Sequence, residues 1–225
     1  MTKTPSYTEY LVRRFASGTT VTLADLKTLD PNIPSSEIAI LEEFSDGFVV
    51  GGLSDKIVDF YINYLCDRLA NEVKCLCLSS ALSQLVEERN IDSAINEFKA
   101  LNFHKYHQIL MPGNPSGWHW ILFTVDQVKG IIEAFDPTII ASSQHNNDAE
   151  IARRTHYTND FAKILQNITG TQYEVSVTSF PERDGTEDGI RILYYAERFL
   201  NGEKVTDDCD TMNFRLKVYN SILNE

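Results

Sequence analysis

Apolar and polar residues recur with two different periods along the chain, and these periods predict where helices and strands lie. In SDKIVDFYINYLCDRLA, which begins with a capping Ser54, apolar residues return every three or four positions, as on one face of a helix. The same spacing predicts helices over SSALSQLVEERN, residues 91–100, residues 148–168, GIRILYYAERFL and residues 211–223. Ser79-Ser80 is interpreted as the cap of the second of these helices.

A second set of segments is typical of strands. VKCLCLS alternates with period two, and HQILMP, WHWILFTVD and GIIEAFD follow as three short segments rich in β-branched and aromatic residues. YEVSVTSF is a further strand. Because helices cluster early and late around a central run of strands, the pattern predicts an α+β fold in which helices flank a sheet.

The first part of the chain has a different pattern. Residues 1–45 are predicted to be short helices, separated by turn residues at Ser17–Thr20 and Pro31–Pro34. SSEIAILEEF is one of these helices, and FVV, between Gly47 and Gly51-Gly52, is a short strand or an extended connector. We therefore expect a helical extension over residues 1–47 that packs on a main domain over residues 48–225.

Composition and charge narrow the class of protein. The 225 residues are 43% hydrophobic and 23% charged, ordinary values that exclude a disordered or fibrous chain. The net charge is 20 − 32 = −12, which argues against nucleic acid or an acidic membrane surface as partner. No apolar run approaches the roughly 20 residues that cross a bilayer. Four cysteines in a chain of this length indicate a reducing compartment, so we expect the nucleus or cytoplasm.

The segment Trp118-His119-Trp120 is the most specific local feature. These are the only two tryptophans of the chain, and they enclose a histidine at the start of a predicted strand. Asp136 follows at 136 − 119 = 17 positions, at the end of the next strand. If the two strands are adjacent and antiparallel, Asp136 reaches the His119 ring and fixes its tautomer, as the third member of a catalytic triad does. The alternative for His119 is a packed strand histidine.

Several motifs together resemble the Ulp/SENP cysteine proteases, peptidase family C48, which process SUMO and related ubiquitin-like proteins. LSDKIVDFYINYL is similar to the first long helix of that family, and HKYHQILMPGNPSGWHWILFTVD to its segment leading into His-Trp. FDPT stands where the family has Asp-Ser, and YYAERFLNGE resembles the helix after the nucleophile. The resemblance covers roughly residues 48–205. It implies a papain-like cysteine protease fold with a central mixed sheet.

The nucleophile segment departs from this pattern. The family has Gln-x-x-x-x-Asp-Cys-Gly, whereas this chain has PERDGTEDGIRIL. Aligned without a gap from Gly189, Asp188 stands at the nucleophile position and Glu182 at the oxyanion Gln position. Aligned on Pro181 and Asp188, the cysteine is missing altogether and Arg183 replaces the Gln. Either way the chain has no thiol there.

The chemical consequence of this departure is direct. Acyl transfer of this kind requires a thiolate, and a carboxylate attacks an amide poorly. A charged Glu182 would repel the developing oxyanion, where the loss of one donor alone costs about 10²–10³ in rate. A simpler interpretation of Asp188 is structural: it precedes a predicted helix, where its side chain caps free N–H groups. It is also placed to form an ion pair with His119.

Other candidate sites have weaker patterns. Cys75 and Cys77 alternate on a strand and, with His104 and His107, are conceivable zinc ligands, but we interpret them as buried structural cysteines. Cys209 lies among acidic residues that raise its pKa, so it is a poor substitute nucleophile. We expect no cofactor and no metal site. By the resemblance, Trp118 or Trp120 roofs a tunnel for the tail of a modifier; core packing is the competing role.

The preferred hypothesis is a catalytically inactive pseudoprotease that acts as a protein-binding or scaffold module. One alternative is an active SUMO- or ubiquitin-like-protein-specific isopeptidase whose nucleophile lies elsewhere. The other is a reader that binds a ubiquitin-like modifier without cutting it. The expected partner is a protein, and SUMO or another ubiquitin-like protein is the first candidate. The sequence does not decide whether the chain is an enzyme or how many copies associate.

Overall fold

The computed structural model describes residues 11–14, 20–22, 25–26, 28–29, 53–69, 73–88, 90–114, 119–139, 144–181 and 187–224. The strands are β1 (Leu11–Arg14), β2 (Thr20–Thr22), β3 (Cys75–Cys77), β4 (Gln108–Gly113), β5 (Ile121–Asp126), β6 (Ile131–Ile139) and β7 (Glu174–Pro181). The helices are α1 (Asp55–Leu69), α2 (Ser80–Glu87), α3 (Ile91–Lys99), α4 (Gln144–Thr169), α5 (Asp188–Leu200) and α6 (Thr211–Asn224), with a 3₁₀ turn at Phe103–Lys105.

A five-stranded mixed sheet organises these elements, in the order β3-β4-β5-β6-β7. β4, β5 and β6 are consecutive in the chain and pair antiparallel, as a meander. Gly130, with φ 69°, closes the turn between β5 and β6 in a conformation that side-chain-bearing residues rarely adopt. The outer strands β3 and β7 pair in parallel with β4 and β6, and β7 is reached through the long helix α4.

Helices cover both faces of the sheet, and the alternation along each strand supplies both cores. On β5, Leu122 points into a core formed with α1, α5 and α6. Its neighbours Ile121 and Phe123 point into the opposite core, formed with α2, α3 and α4. The fold is therefore α+β, with a central mixed sheet between two layers of helices, as the sequence pattern predicts.

The start of α5 fits closely against the sheet. A Cβ atom at Gly189 would lie 2.7 Å from the Leu53 Cβ and 3.2 Å from the Trp120 Cδ1, closer than packed carbon atoms approach. Only glycine therefore allows the first turn of α5 to lie this near Trp120. The helix ends at Asn201-Gly202 as predicted, where the Gly202 N–H donates to the carbonyl of Phe199 with φ at 70°.

The helices and strands predicted from residue 54 onward are confirmed, including the antiparallel pairing of β5 and β6. The Ser54 hydroxyl accepts from the Ile57 N–H, and Ser79 caps α2 by accepting from Ala81. α4 begins at Gln144, four residues before the predicted start. No helix among the described residues is both long and apolar enough to cross a membrane.

The expectation of helices in the first part of the chain is wrong for residues 11–14 and 20–22, whereas residues 25–26 are helical. Residues 11–14 and 20–22 form an antiparallel strand pair, because the β-branched residues around Val21 favour extended backbone. Val21 is fully buried in the core shared with α1 and α5. The Pro31–Pro34 turn, SSEIAILEEF and FVV lie outside the described residues, and the division into residues 1–47 and 48–225 stays a prediction.

Candidate functional site

His119 lies immediately before β5, between two carboxylates that come from different elements. Its Nε2 is 2.6 Å from Oδ1 of Asp136 on β6, and its Nδ1 is 2.5 Å from Oδ2 of Asp188 at the first position of α5. The His119 backbone N–H donates to the side chain of Asn114 at 3.2 Å. The structure thus brings together the three side chains that the sequence singles out, at 17 and 69 positions along the chain.

Arg154 on α4 completes this group of charges. Its Nε donates to Oδ2 of Asp136 at 2.9 Å, and both side chains are almost fully buried. Asp136 therefore bridges a cation on α4 and the imidazole before β5. No sequence motif singles out Arg154. Its position in the helix does indicate burial, because Arg154 shares the buried face of α4 with Thr158, Phe161 and Leu165 at three- and four-residue steps.

The electrostatics of the site favour the imidazolium form of His119. Burial of the ring opposes the charged form, but hydrogen bonds and negative charge from Asp136 and Asp188 outweigh burial and raise the pKa of His119 to about 9. Burial also raises the pKa of Asp188 above its ordinary value, against the opposing effect of His119. At neutral pH both ring N–H groups donate to carboxylates. Two cations, His119 and Arg154, then balance two anions.

The side chain of Asp188 does not cap α5, which corrects that expectation. The residue before it, Glu187, occupies the N-cap position, and Asp188 is the first helical residue with its carboxylate turned toward His119. An ion pair with a buried imidazolium is stronger than a capping hydrogen bond, so the Asp188 carboxylate faces His119 and not the free N–H groups of α5. The second carboxylate oxygen, Oδ1, is buried and has no hydrogen-bond partner in the described part of the chain. The negative charge still lies in the first turn, where it complements the helix dipole.

A second ion-pair network fixes the start of α5. The buried guanidinium of Arg191 binds Glu187 at 2.9 Å and Asp207 at 2.6 Å. Tyr195 donates its hydroxyl to the same Asp207 oxygen at 2.8 Å, and Thr211 donates to Glu187. The first turn of the helix is therefore held from the loop after α5 as well as by His119.

The other predicted site residues have different outcomes. Trp120 is 1% exposed and lies in the core beside Leu53 and Gly189, so the structure gives it the packing role and no access to a ligand. Trp118, Glu182 and Arg183 lie outside the described residues. Among the described residues, no three His, Cys, Asp or Glu side chains gather as metal ligands.

The thiols of the chain make their contacts elsewhere. Cys75 pairs with the start of β4 at Gln108, whereas His119 lies near the other end of that strand, beside Asn114. Six residues of strand separate those two positions, about 20 Å. Cys66 hydrogen-bonds Cys75, which lowers the pKa of Cys75.

Two further thiols are held in the protonated form. Burial raises the pKa of Cys77 well above its ordinary value. Burial likewise raises the pKa of Cys209 to about 12, and the nearby acids Glu187 and Asp207 add to it. Both are consequently weak nucleophiles, as the sequence predicts for Cys209.

Comparison with known proteins gives matches at the level of structure. No protein-family model and no curated protein sequence matches the chain. Among solved structures, the yeast Ulp1 protease domain in complex with Smt3, the yeast orthologue of SUMO, aligns with a TM-score of 0.68 over 99% of this chain and 90% of that one, at 18% identity. The chain has the fold of Ulp1-type SUMO proteases.

Two further Ulp-type structures support the same fold. The Ulp1-like SUMO protease catalytic domain of Chaetomium thermophilum aligns with a TM-score of 0.66 at 13% identity, over 97% of this chain and 83% of that one. The effector XopD of Xanthomonas campestris, bound to ubiquitin, aligns at 0.52 and 17% identity, over 87% of this chain and 96% of that one. The Ulp-type fold is thus present over most of the chain, including the elements that carry His119, Asp136 and Asp188.

Proposed function

We propose that this chain is a catalytically inactive member of the Ulp-type proteases that works by binding proteins. The observation that carries the proposal is the 2.5 Å contact between His119 Nδ1 and Asp188 Oδ2. In the gap-free alignment, Asp188 stands where Ulp proteases place their cysteine. A carboxylate therefore occupies the side of the imidazole that a thiolate would need.

The chemistry of this contact opposes amide cleavage. A carboxylate attacks an amide poorly, and the anhydride that it would form is short-lived. His119 with both ring nitrogens protonated has no lone pair with which to accept a proton. The group that would be the base is thus already charged, and the group that would be the nucleophile is its counter-ion.

A protease that uses another thiol is the first rival. Cys75 is the best candidate, because the hydrogen bond with Cys66 lowers its pKa and so favours the thiolate. Its distance from His119 along β4 opposes this role. If such an enzyme exists, Cys75→Ser abolishes turnover, whereas Asp188→Asn does not.

A reader of ubiquitin-like modifiers is the second candidate function. The similar Ulp1 and XopD structures are complexes with Smt3 and with ubiquitin, and this chain retains the elements of that fold. The net charge of −12 weakens the attraction of any acidic partner surface. We therefore expect moderate rather than tight binding at physiological salt.

The test has a catalytic arm and a binding arm. The purified chain is incubated with fluorogenic SUMO, NEDD8 and ubiquitin substrates and with isopeptide-linked conjugates, beside an active Ulp1 domain as positive control. We expect no turnover above buffer, and turnover by the unmodified chain would refute the proposal. Calorimetric titration with free SUMO and ubiquitin then separates a reader, which binds saturably, from a scaffold that uses other partners.

A further inference from the structure

β7 forms one outer side of the sheet, and its outer edge has no hydrogen-bonding partner in the part of the chain that the structure describes. The N–H of Glu174 donates to the Gly130 carbonyl at 2.8 Å, on the side of β6. Backbone groups alternate in direction along a strand, so those of residues 174, 176 and 178 face β6. Those of Val175, Val177 and Ser179 face outward and lack a partner among the described residues.

Within the described ranges, nothing gives this edge the usual protection against strand addition. Sheet proteins shield long outer strands with lysines, prolines, bulges or covering segments. β7 is eight residues long, and its interior, VSVTSF over residues 175–180, has neither a charged residue nor a proline. Its pairing with β6 stays in register from Glu174 to Ser179. The exposed backbone is therefore regular enough to accept another strand.

A cavity of about 350 Å³ lies beside this edge, on the face of the sheet that α5 covers. Glu133 of β6 lines it, together with Thr178 of β7 and Phe199 near the end of α5. The Glu133 carboxylate accepts a hydrogen bond from the Thr178 hydroxyl and has no cationic partner among the described residues. Two lysines and two further acids also line the cavity: Asp126 binds Lys129 at 2.8 Å, and Lys204 follows Glu203 in the chain. The cavity therefore holds a carboxylate that a basic side chain would neutralise.

We propose that the outer edge of β7 is a docking site for an extended basic segment of a partner protein, which adds as a sixth strand. The outward groups of Val175, Val177 and Ser179 supply the main-chain hydrogen bonds. An added strand lies about 4.8 Å from β7. A Lys or Arg of that strand, on the face of the sheet that carries Thr178, is within reach of the Glu133 carboxylate. The net charge of −12 favours such a partner and opposes the pairing of two copies of this chain.

The test uses the full ¹⁵N-labelled chain and two blocked hexapeptides, acetyl-TKVKVT-amide and its acidic counterpart acetyl-TEVEVT-amide. In the free chain we expect fast amide exchange at Val175, Val177 and Ser179 and slow exchange at Ser176 and Thr178. The basic peptide slows the outward three by at least tenfold, and the acidic peptide leaves them unchanged. Equal protection by both peptides, or none by the basic one, overturns the proposal.

Two variants separate the backbone and charge contributions. Val177→Pro removes an outward N–H without breaking the ladder to β6, which strand edges tolerate, and weakens binding of the basic peptide at least tenfold. Ser179→Pro repeats this test if Val177→Pro fails to fold. Glu133→Gln removes the preference for the basic peptide and keeps the main-chain protection. Unchanged peptide affinity in both folded proline variants overturns the proposal. The proposal is also overturned if, without peptide, protection of the Val175, Val177 and Ser179 amides rises with protein concentration, because the occupant is then a second copy of the chain.

Discussion

At the scale of single residues, Asp188 satisfies His119 electrostatically. A buried imidazolium needs an anion on each nitrogen, and the two carboxylates provide them at 2.5 and 2.6 Å. Removing one member of such a buried charge group costs several kcal/mol, since its partner stays behind uncompensated. A site of this kind is stable as a structural element and needs no substrate to explain it.

The raised pKa of His119 predicts how stability depends on pH. The folded value is about 9 and the ordinary value 6.5, so the folded state holds this proton more tightly than the unfolded state. The stabilisation is fully present below pH 6.5 and is lost as the pH rises to about 9. Its size is about 3 kcal/mol. Urea unfolding between pH 6 and 9.5 measures it.

The matched control for that titration is His119→Gln, which removes the titrating group. Between pH 6.5 and 9, this variant should lose less free energy of unfolding than the unmodified chain, and the difference is the contribution of His119. Asp188, whose pKa is also raised, acts with the same sign: the stabilisation that its proton provides is lost as the pH rises above the ordinary value toward the folded value. Identical pH profiles in the two proteins would show that His119 is not protonated above its ordinary range.

Restoring a thiol at position 188 tests what else the site lacks. In Asp188→Cys, the imidazolium of His119, which Asp136 keeps charged, should lower the thiol pKa, so alkylation by iodoacetamide at pH 6.5 should exceed that of the unmodified chain. We expect turnover of a SUMO substrate to stay at least 10²-fold below that of an active Ulp1 domain, because Glu182 or Arg183 replaces the oxyanion amide. Turnover approaching that of the active domain would show that the missing sulfur is the only defect.

At the scale of elements, the sequence predicts what depends on local periodicity. The meander of β4, β5 and β6 follows from three consecutive short segments rich in β-branched and aromatic residues, and it places Asp136 beside His119. The contact of Arg154 with Asp136 joins β6 to α4, and it could not be derived from the period of either element alone. The β1–β2 pair was missed because its strands are only four and three residues long, too short for period two to be distinct.

Gly189→Ala tests the close packing at the start of α5. A methyl group at position 189 would lie 2.7 Å from the Leu53 Cβ, so either α5 or α1 must shift. We expect a loss of about 1–3 kcal/mol in the free energy of unfolding, although alanine favours helices. Glu97→Ala on the exposed face of α3 is the matched control and should be nearly neutral. A Gly189→Ala variant as stable as the unmodified chain would contradict the packing described.

At the scale of the whole molecule, the fold does not determine the chemistry of the site. The backbone aligns with Ulp-type proteases at 13–18% identity, so the architecture survives almost complete replacement of the sequence. A fold does not fix a function, and function depends on the residues grafted onto it. Under the proposed function, two places decide the activity: the first turn of α5, where the Asp188 carboxylate faces His119, and positions 182–183 just before it in the sequence.

Intact-mass spectrometry after incubation with SUMO, NEDD8 and ubiquitin vinyl sulfones tests the central claim most directly, because these probes trap an activated thiol. The proposal predicts that the chain keeps its own mass while an active Ulp1 domain is labelled completely. A stoichiometric adduct, mapped to Cys66, Cys75, Cys77 or Cys209, would contradict it.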